Sequence, residues 1–140
     1  MLYYEQDKYR DAEPLYKHAL DIDEKVLGTD HPKVGEILTG LAALYVMQRR
    51  YGDAEPLSKR ALAINEKALG PDHPDVATDL NNLAMLYYQQ GRYSEAEPLF
   101  KRAVAIDEKA LGRDHPTVVG IEKNLALTLR KLGRNSKKKD

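Results

Sequence analysis

The chain has 140 residues, about one ordinary domain's worth. Lys plus Arg and Asp plus Glu both number 22, so the formal net charge is zero, which excludes the general basic excess of a dedicated nucleic-acid binder. There is no cysteine, which excludes disulfide scaffolds, cysteine zinc ribbons and thiol nucleophiles and points to the cytoplasm.

The longest apolar runs are too short to span a bilayer, and the first residues, Met-Leu-Tyr-Tyr-Glu-Gln-Asp, lack the basic and small-residue features of a signal peptide. The first clear element is an apolar ladder, Ala12, Leu15, Ala19, Ile22, Val26, stepping 3, 4, 3, 4 along one helix face. It predicts a helix over about 10–27, supported by Glu13 and Lys17 in the favourable i,i+4 order and stopped by Gly28. Asp30-His31-Pro32 then opens a helix over about 33–48, because proline suits the first helical position.

The same words then return. Ala12-Glu13-Pro14-Leu15 recurs as Ala54-Glu55-Pro56-Leu57 and Ala96-Glu97-Pro98-Leu99, and Asp30-His31-Pro32 as Asp72-His73-Pro74 and Asp114-His115-Pro116. The period is 42, and from Ala12 to Pro32 14 of 21 positions are identical in all three copies. A fixed period of this length marks stacked supersecondary units. It predicts further helices over about 52–69, 75–90, 94–111 and 117–132. In 75–90 the apolar stripe is Val76, Leu80, Leu83, Ala84 and Tyr87, with Gly91 as a left-handed cap; Ser94 and Glu97 read as a capping box for 94–111. Pro98 is expected in or just past the first turn, where it does not break the helix. Residues 1–7, aligned with 43–49, read as a separate helical stub, and 135–140 as a basic disordered tail. Residues 1–134 form a single array, and nothing shows the alternation of a strand.

The pair formed by 75–90 and 94–111 resembles the tetratricopeptide repeat. Leu80, Leu83-Ala84, Tyr87, Gly91, Tyr93, Ala96, Phe100 and Ala103 carry that family's spacing, and the 42-residue period resembles the repeats of kinesin light chains. The resemblance implies an all-α fold, a right-handed superhelical α-solenoid of antiparallel helix pairs, with the first helix of each pair (helix A: 33–48, 75–90, 117–132) on the concave wall and the second (helix B) outside. It implies a protein-interaction scaffold binding a peptide or helix segment.

On helix A the packing positions repeat while the remaining ones vary. Those candidates for the groove are Thr39 and Ala43, with Gly40 between them; Asn81, Asn82, Met85, Tyr88 and Gln89; and Lys123, Asn124, Leu127, Arg130 and Lys131. In the resembling family an asparagine at the place of Asn82 and Asn124 holds a peptide backbone, its amide offering donor and acceptor together. Kinesin light chains favour acidic peptides, and Lys123, Arg130 and Lys131 give the groove a basic end. Residues 117–140 hold seven basic and two acidic side chains, against 15 and 20 in 1–116, so neutrality conceals a dipolar chain. The expected partner is an acidic linear segment, with no nucleic acid and no membrane.

Nothing suggests an enzyme, a metal or a cofactor: there is no phosphate loop, nucleophile elbow or His-Glu-x-x-His. The recurrent His31, His73 and His115 read as loop and cap residues, His18 as surface, and runs such as Asp107-Glu108-Lys109 as solvated helix face with no carboxyl set for a raised pKa. The alternative to a groove binder is a structural spacer, or a module that self-associates head to tail through uncapped terminal helices.

Overall fold

The structure, a computed structural model, describes the backbone of residues 3–139 and the side chains of 8–133. It contains six helices: α1 (Tyr3–Leu27), α2 (Pro32–Met47), α3 (Tyr51–Leu69), α4 (Pro74–Gln89), α5 (Tyr93–Leu111) and α6 (Pro116–Lys139). No strand occurs among the described residues, and the fold is an all-α repeat fold. The chain divides into two compact units, Met1–Ala68 and Leu69–Asp140. The first holds helices in the order B, A, B and the second in the order A, B, A.

In the first unit α2 packs on α1 and α3. Val34 and Leu38 of α2 meet Ala61 and Ile64 of α3, with Leu20 of α1 and Leu57 alongside. Each large side chain removed from water in this way contributes about 1.5–3 kcal/mol. In the second unit α5 packs on both α4 and α6, and α4 touches α6. Leu80, Phe100 and Val118 lose all exposure there.

The helix starts follow from local chemistry. Proline opens α2, α4 and α6, and the histidine before it caps each helix: Nδ1 of His31, His73 and His115 accepts from the amides of Lys33, Asp75 and Thr117 at 3.1, 3.0 and 3.1 Å. The Glu–Lys pairs on the B helices form as expected, Glu13–Lys17 at 2.9 Å, Glu55–Lys59 at 2.8 Å and Glu97–Lys101 at 2.6 Å. One repeated device is invisible in the sequence. Arg60 and Arg102 reach back 31 residues to accept-only carbonyls of the loops before helix A, at Thr29 (3.1 Å) and Pro71 (3.3 Å).

Four expectations are corrected. Residues 3–27 form one helix rather than a stub and a separate 10–27. The turn in the other copies needs a left-handed residue, Arg49 (φ 60°) or Gly91 (φ 75°), whereas the chain at Asp7 stays helical and keeps its backbone bonds without that strain. Residues 135–139 continue α6 instead of forming a disordered tail, since lysine and arginine are good helix formers and Gly133 costs only about 1 kcal/mol. The Ser94–Glu97 capping box does not form. Helix α5 begins a residue earlier, at Tyr93, with no side-chain cap at Arg92; Glu97 goes to Lys101, and Arg92 instead binds Glu95 at 2.8 and 2.9 Å. Asp107, finally, is not solvated. It is 2% exposed on the α5 core face, its Oδ1 has no hydrogen-bond partner among the described residues, and burial holds its carboxyl above the ordinary value against a smaller opposing pull from His115.

Candidate functional site

The face of interest is made by α4 and α6 of the second unit. Helix α4 turns Val76, Leu80, Leu83, Ala84 and Tyr87 into the core and α6 turns in Val118, Ile121 and Thr128, which leaves Asn81, Asn82, Met85, Tyr88 and Gln89 of α4 and Lys123, Asn124, Leu127, Arg130 and Lys131 of α6 outside it. Asn82, Gln89, Lys123, Leu127, Arg130 and Lys131 are exposed, and Asn81, Met85, Tyr88 and Asn124 are half-buried.

Two groups converge. Asn124 Nδ2 donates to Asn81 Oδ1 at 3.4 Å, joining the two helices across the face. Asn124 keeps its Oδ1 and a second amide hydrogen, and Asn81 keeps its own NH2, so the pair still presents both senses of hydrogen bonding. Behind it, the carbonyl of Asn124 accepts from the buried hydroxyl of Thr128 at 2.9 Å, which holds that turn of α6. At the other end Tyr88 meets Tyr93 edge to face, centroids 5.2 Å apart, and the Lys131 ammonium stands 6.0 Å from the Tyr93 centroid.

The α4–α5 turn sets that cluster. Gly91 takes a left-handed conformation, its amide bonding Tyr88 O and the next, Arg92, bonding Tyr87 O at 2.8 Å. Arg92 then lies 4.4 Å over the Tyr87 ring while holding Glu95. The turn fixes Tyr93 as the first residue of α5, beside Tyr88. Tyr93 was missed as a site residue, because its recurrence with Tyr9 and Tyr51 marks it as part of the frame. Its place directly after the turn was the available signal.

The charge of the face is one-sided. Lys123 and Arg130 have no carboxylate partner among the described residues, and Lys131 meets an aromatic ring instead. Residues i, i+4, i+7 and i+8 share one helix face, so Lys123, Leu127, Arg130 and Lys131 form a single stripe.

The remaining candidates make none of these contacts. Asn82 is exposed and outside the Asn81–Asn124 pair. Thr39 and Ala43 are on α2 in the first unit, where the Thr39 hydroxyl donates to Gly35 O at 3.0 Å. Gly40 between them is not open surface: a Cβ added there would stand 2.6 Å from Cε1 of Tyr16 on α1. Among the described residues no group of three or more His, Asp or Glu could hold a metal ion, and no helix is long and apolar enough to cross a membrane.

The family model described as Tetratricopeptide repeat matches residues 1–67, 47–109 and 80–137. The chain belongs to the tetratricopeptide repeat family, whose members generally serve as protein-interaction scaffolds. Among solved structures it is similar to the Podosopora anserina kinesin light chain nearly identical TPR-like repeats, at a TM-score of 0.84 and 27% identity over 96% of this chain, and to a single-residue variant of that protein at the same values. It is also similar to BtubC (BKLC) from P. vanneervenii, at a TM-score of 0.80 and 27% identity over 91% of this chain. The chain spans 64% of the first two proteins and 50% of the third. No curated protein matches it.

Proposed function

We propose that this chain is a cytoplasmic, non-enzymatic interaction module that holds an acidic, extended peptide segment on the α4–α6 face. The observation that carries the reading is the juxtaposition of an amide pair, Asn81 and Asn124, with a stripe of three cations that no carboxylate of the described chain neutralises. Amides able to give and take a hydrogen bond suit a peptide backbone, which offers both. Unpaired cations beside them favour carboxylates on the same segment and reject basic ones by like-charge repulsion. Tyr88, Met85 and Leu127 supply half-buried or exposed apolar area between the polar groups. The reading is confined to the second unit; Thr39 and Ala43 are not needed for it.

Fluorescence anisotropy with matched acidic and basic peptides tests it. Acidic peptides should bind, should weaken with added salt, and should lose at least about tenfold on the triple variant Asn82→Ala, Lys123→Ala, Asn124→Ala, since each lost charged or amide contact is worth roughly 1 kcal/mol or more. The variant's melting temperature should fall by no more than a few degrees, the share of the one Asn81–Asn124 bond it removes. Equal binding of acidic and basic peptides contradicts the acidic reading. Partner capture that survives in the triple variant contradicts the α4–α6 face as the binding site, and the absence of any peptide binding by the parent favours the spacer role.

A further inference from the structure

Two helices carry apolar residues that nothing covers among the described residues: α1, with Leu15, Ile22 and Val26 exposed, and α6, with Val119 and Leu129 exposed. Since α1 is a helix B and α6 a helix A, they look like two halves of one contact. The chain itself shows how such halves meet. Val34 and Leu38 of α2 lie against Ala61 and Ile64 of α3, and Gly35 lets the helices close, because even a Cβ there would stand 3.3 Å from Ile64 Cγ2. The residues at the same two positions of α4 are Ala77 and Leu80, and Leu38, Ala77 and Leu80 all have 0% exposure.

The two halves are not equivalent. Helix α1 keeps the accepting residues, with Ala12, Ala19 and Ile22 where α3 has Ala54, Ala61 and Ile64. Helix α6 does not keep the donating ones. Where α2 and α4 have Gly35 and Ala77 it has Val119, and where they bury Leu38 and Leu80 it has Glu122. Docking α6 on a second copy's α1 in the packing seen between α2 and α3 would force the two valine methyls into a gap already at contact distance. It would also strip water from a carboxylate facing Ala19 and Ile22. The next α1 residue toward it, Asp23, stands where Asn65 approaches Gly35 and carries the same charge as Glu122. Burying a carboxylate without a partner outweighs the covering of one valine and one leucine.

We propose that Val119 and Glu122 close α6 against head-to-tail packing on a second copy of this chain, while α1 remains able to accept a helix A. The closure is a specificity device held by two side chains, and it is reversible by substitution. Head-to-tail self-association through both terminal helices, the alternative that the repeat pattern offered, fails on the α6 side.

Sedimentation velocity over a wide concentration range tests this with the full chain. The parent should keep a constant monomer sedimentation coefficient. The double variant Val119→Ala, Glu122→Leu restores the residue types of α4 and should sediment faster as concentration rises. Adding Ile22→Asp on α1 should return it to monomer. Both substituted α6 positions are exposed, so helical circular dichroism should be unchanged. The proposal is overturned if the parent associates, if the folded double variant stays monomeric, or if its association survives Ile22→Asp.

Discussion

The two units are built on one repeat but differ in what stands at equivalent places. Tyr16 and Phe100 share a repeat position; Phe100 is fully buried in the second unit, whereas Tyr16 is 36% exposed and lies over Gly40. The corresponding helix A positions follow suit, since Gly40 leaves room for that ring while Asn124 is half-buried and turned to Asn81. The turn between helices also differs, with Arg49 in the first unit and Gly91 in the second both left-handed. A repeated packing frame thus permits local exchanges of side chain, and among the described residues the second unit brings Asn81 and Asn124 together at these positions.

The largest expected contrast lies at the shared aromatic position. Phe100→Ala should destabilise by about 3–5 kcal/mol, the range for emptying a buried aromatic site, whereas Tyr16→Ala should cost about 1 kcal/mol or less. Urea denaturation of the two variants checks this, and equal losses would break the contrast between the units. Next, Gly40→Asn transplants the residue of the second unit into the first. Overpacking against Tyr16 should cost about 1–3 kcal/mol, and Tyr16→Ser, which copies Ser58, should recover most of it.

Asp107 gives a smaller and opposite effect. Its carboxyl is held above the ordinary value by burial, so the folded state binds its proton more tightly than the unfolded state. The sign follows: the penalty is absent below the ordinary carboxylate range, grows as pH rises toward the raised value, and is fully present above it. Asp107→Asn, which copies Asn65, should therefore stabilise by about 1 kcal/mol at neutral pH and by much less near pH 3, as melting curves of parent and variant at matched pH will show. The smallest change is at the turn. Arg49→Gly should gain about 0.5 kcal/mol by relieving a left-handed arginine, and Gly91→Arg should lose about 1 kcal/mol.

The fold was legible because it is stated three times in the sequence. The Ala–Leu–Ile ladders, the Asp-His-Pro openings and the glycine stops each obey one helix rule, and repetition removed the ambiguity that any single segment would have left. The lapses have specific causes. Asp107 sits one residue from Ile106 in a run rich in charge, and its neighbours hid that it falls on the core face with Phe100 and Ala103. The Ser94–Glu97 signal was genuine as a pattern but lost to a start one residue earlier, where Arg92 engages Glu95. Of the candidate site, the helix A positions could be named from their variation between copies. The Asn81–Asn124 bond and the Tyr88–Tyr93–Lys131 cluster were not, because they join helices 43 and 38 residues apart, and no local rule gives their register.

The central claim is that the second unit's α4–α6 face receives an acidic peptide. An NMR titration of the isotope-labelled chain with such a peptide tests it most directly. The side-chain amides of Asn81, Asn82 and Asn124 and the Lys123 to Lys131 backbone should shift, with Thr39 and Ala43 of α2 unmoved. Shifts concentrated outside α4 and α6, or the same shifts with a basic peptide, would contradict it.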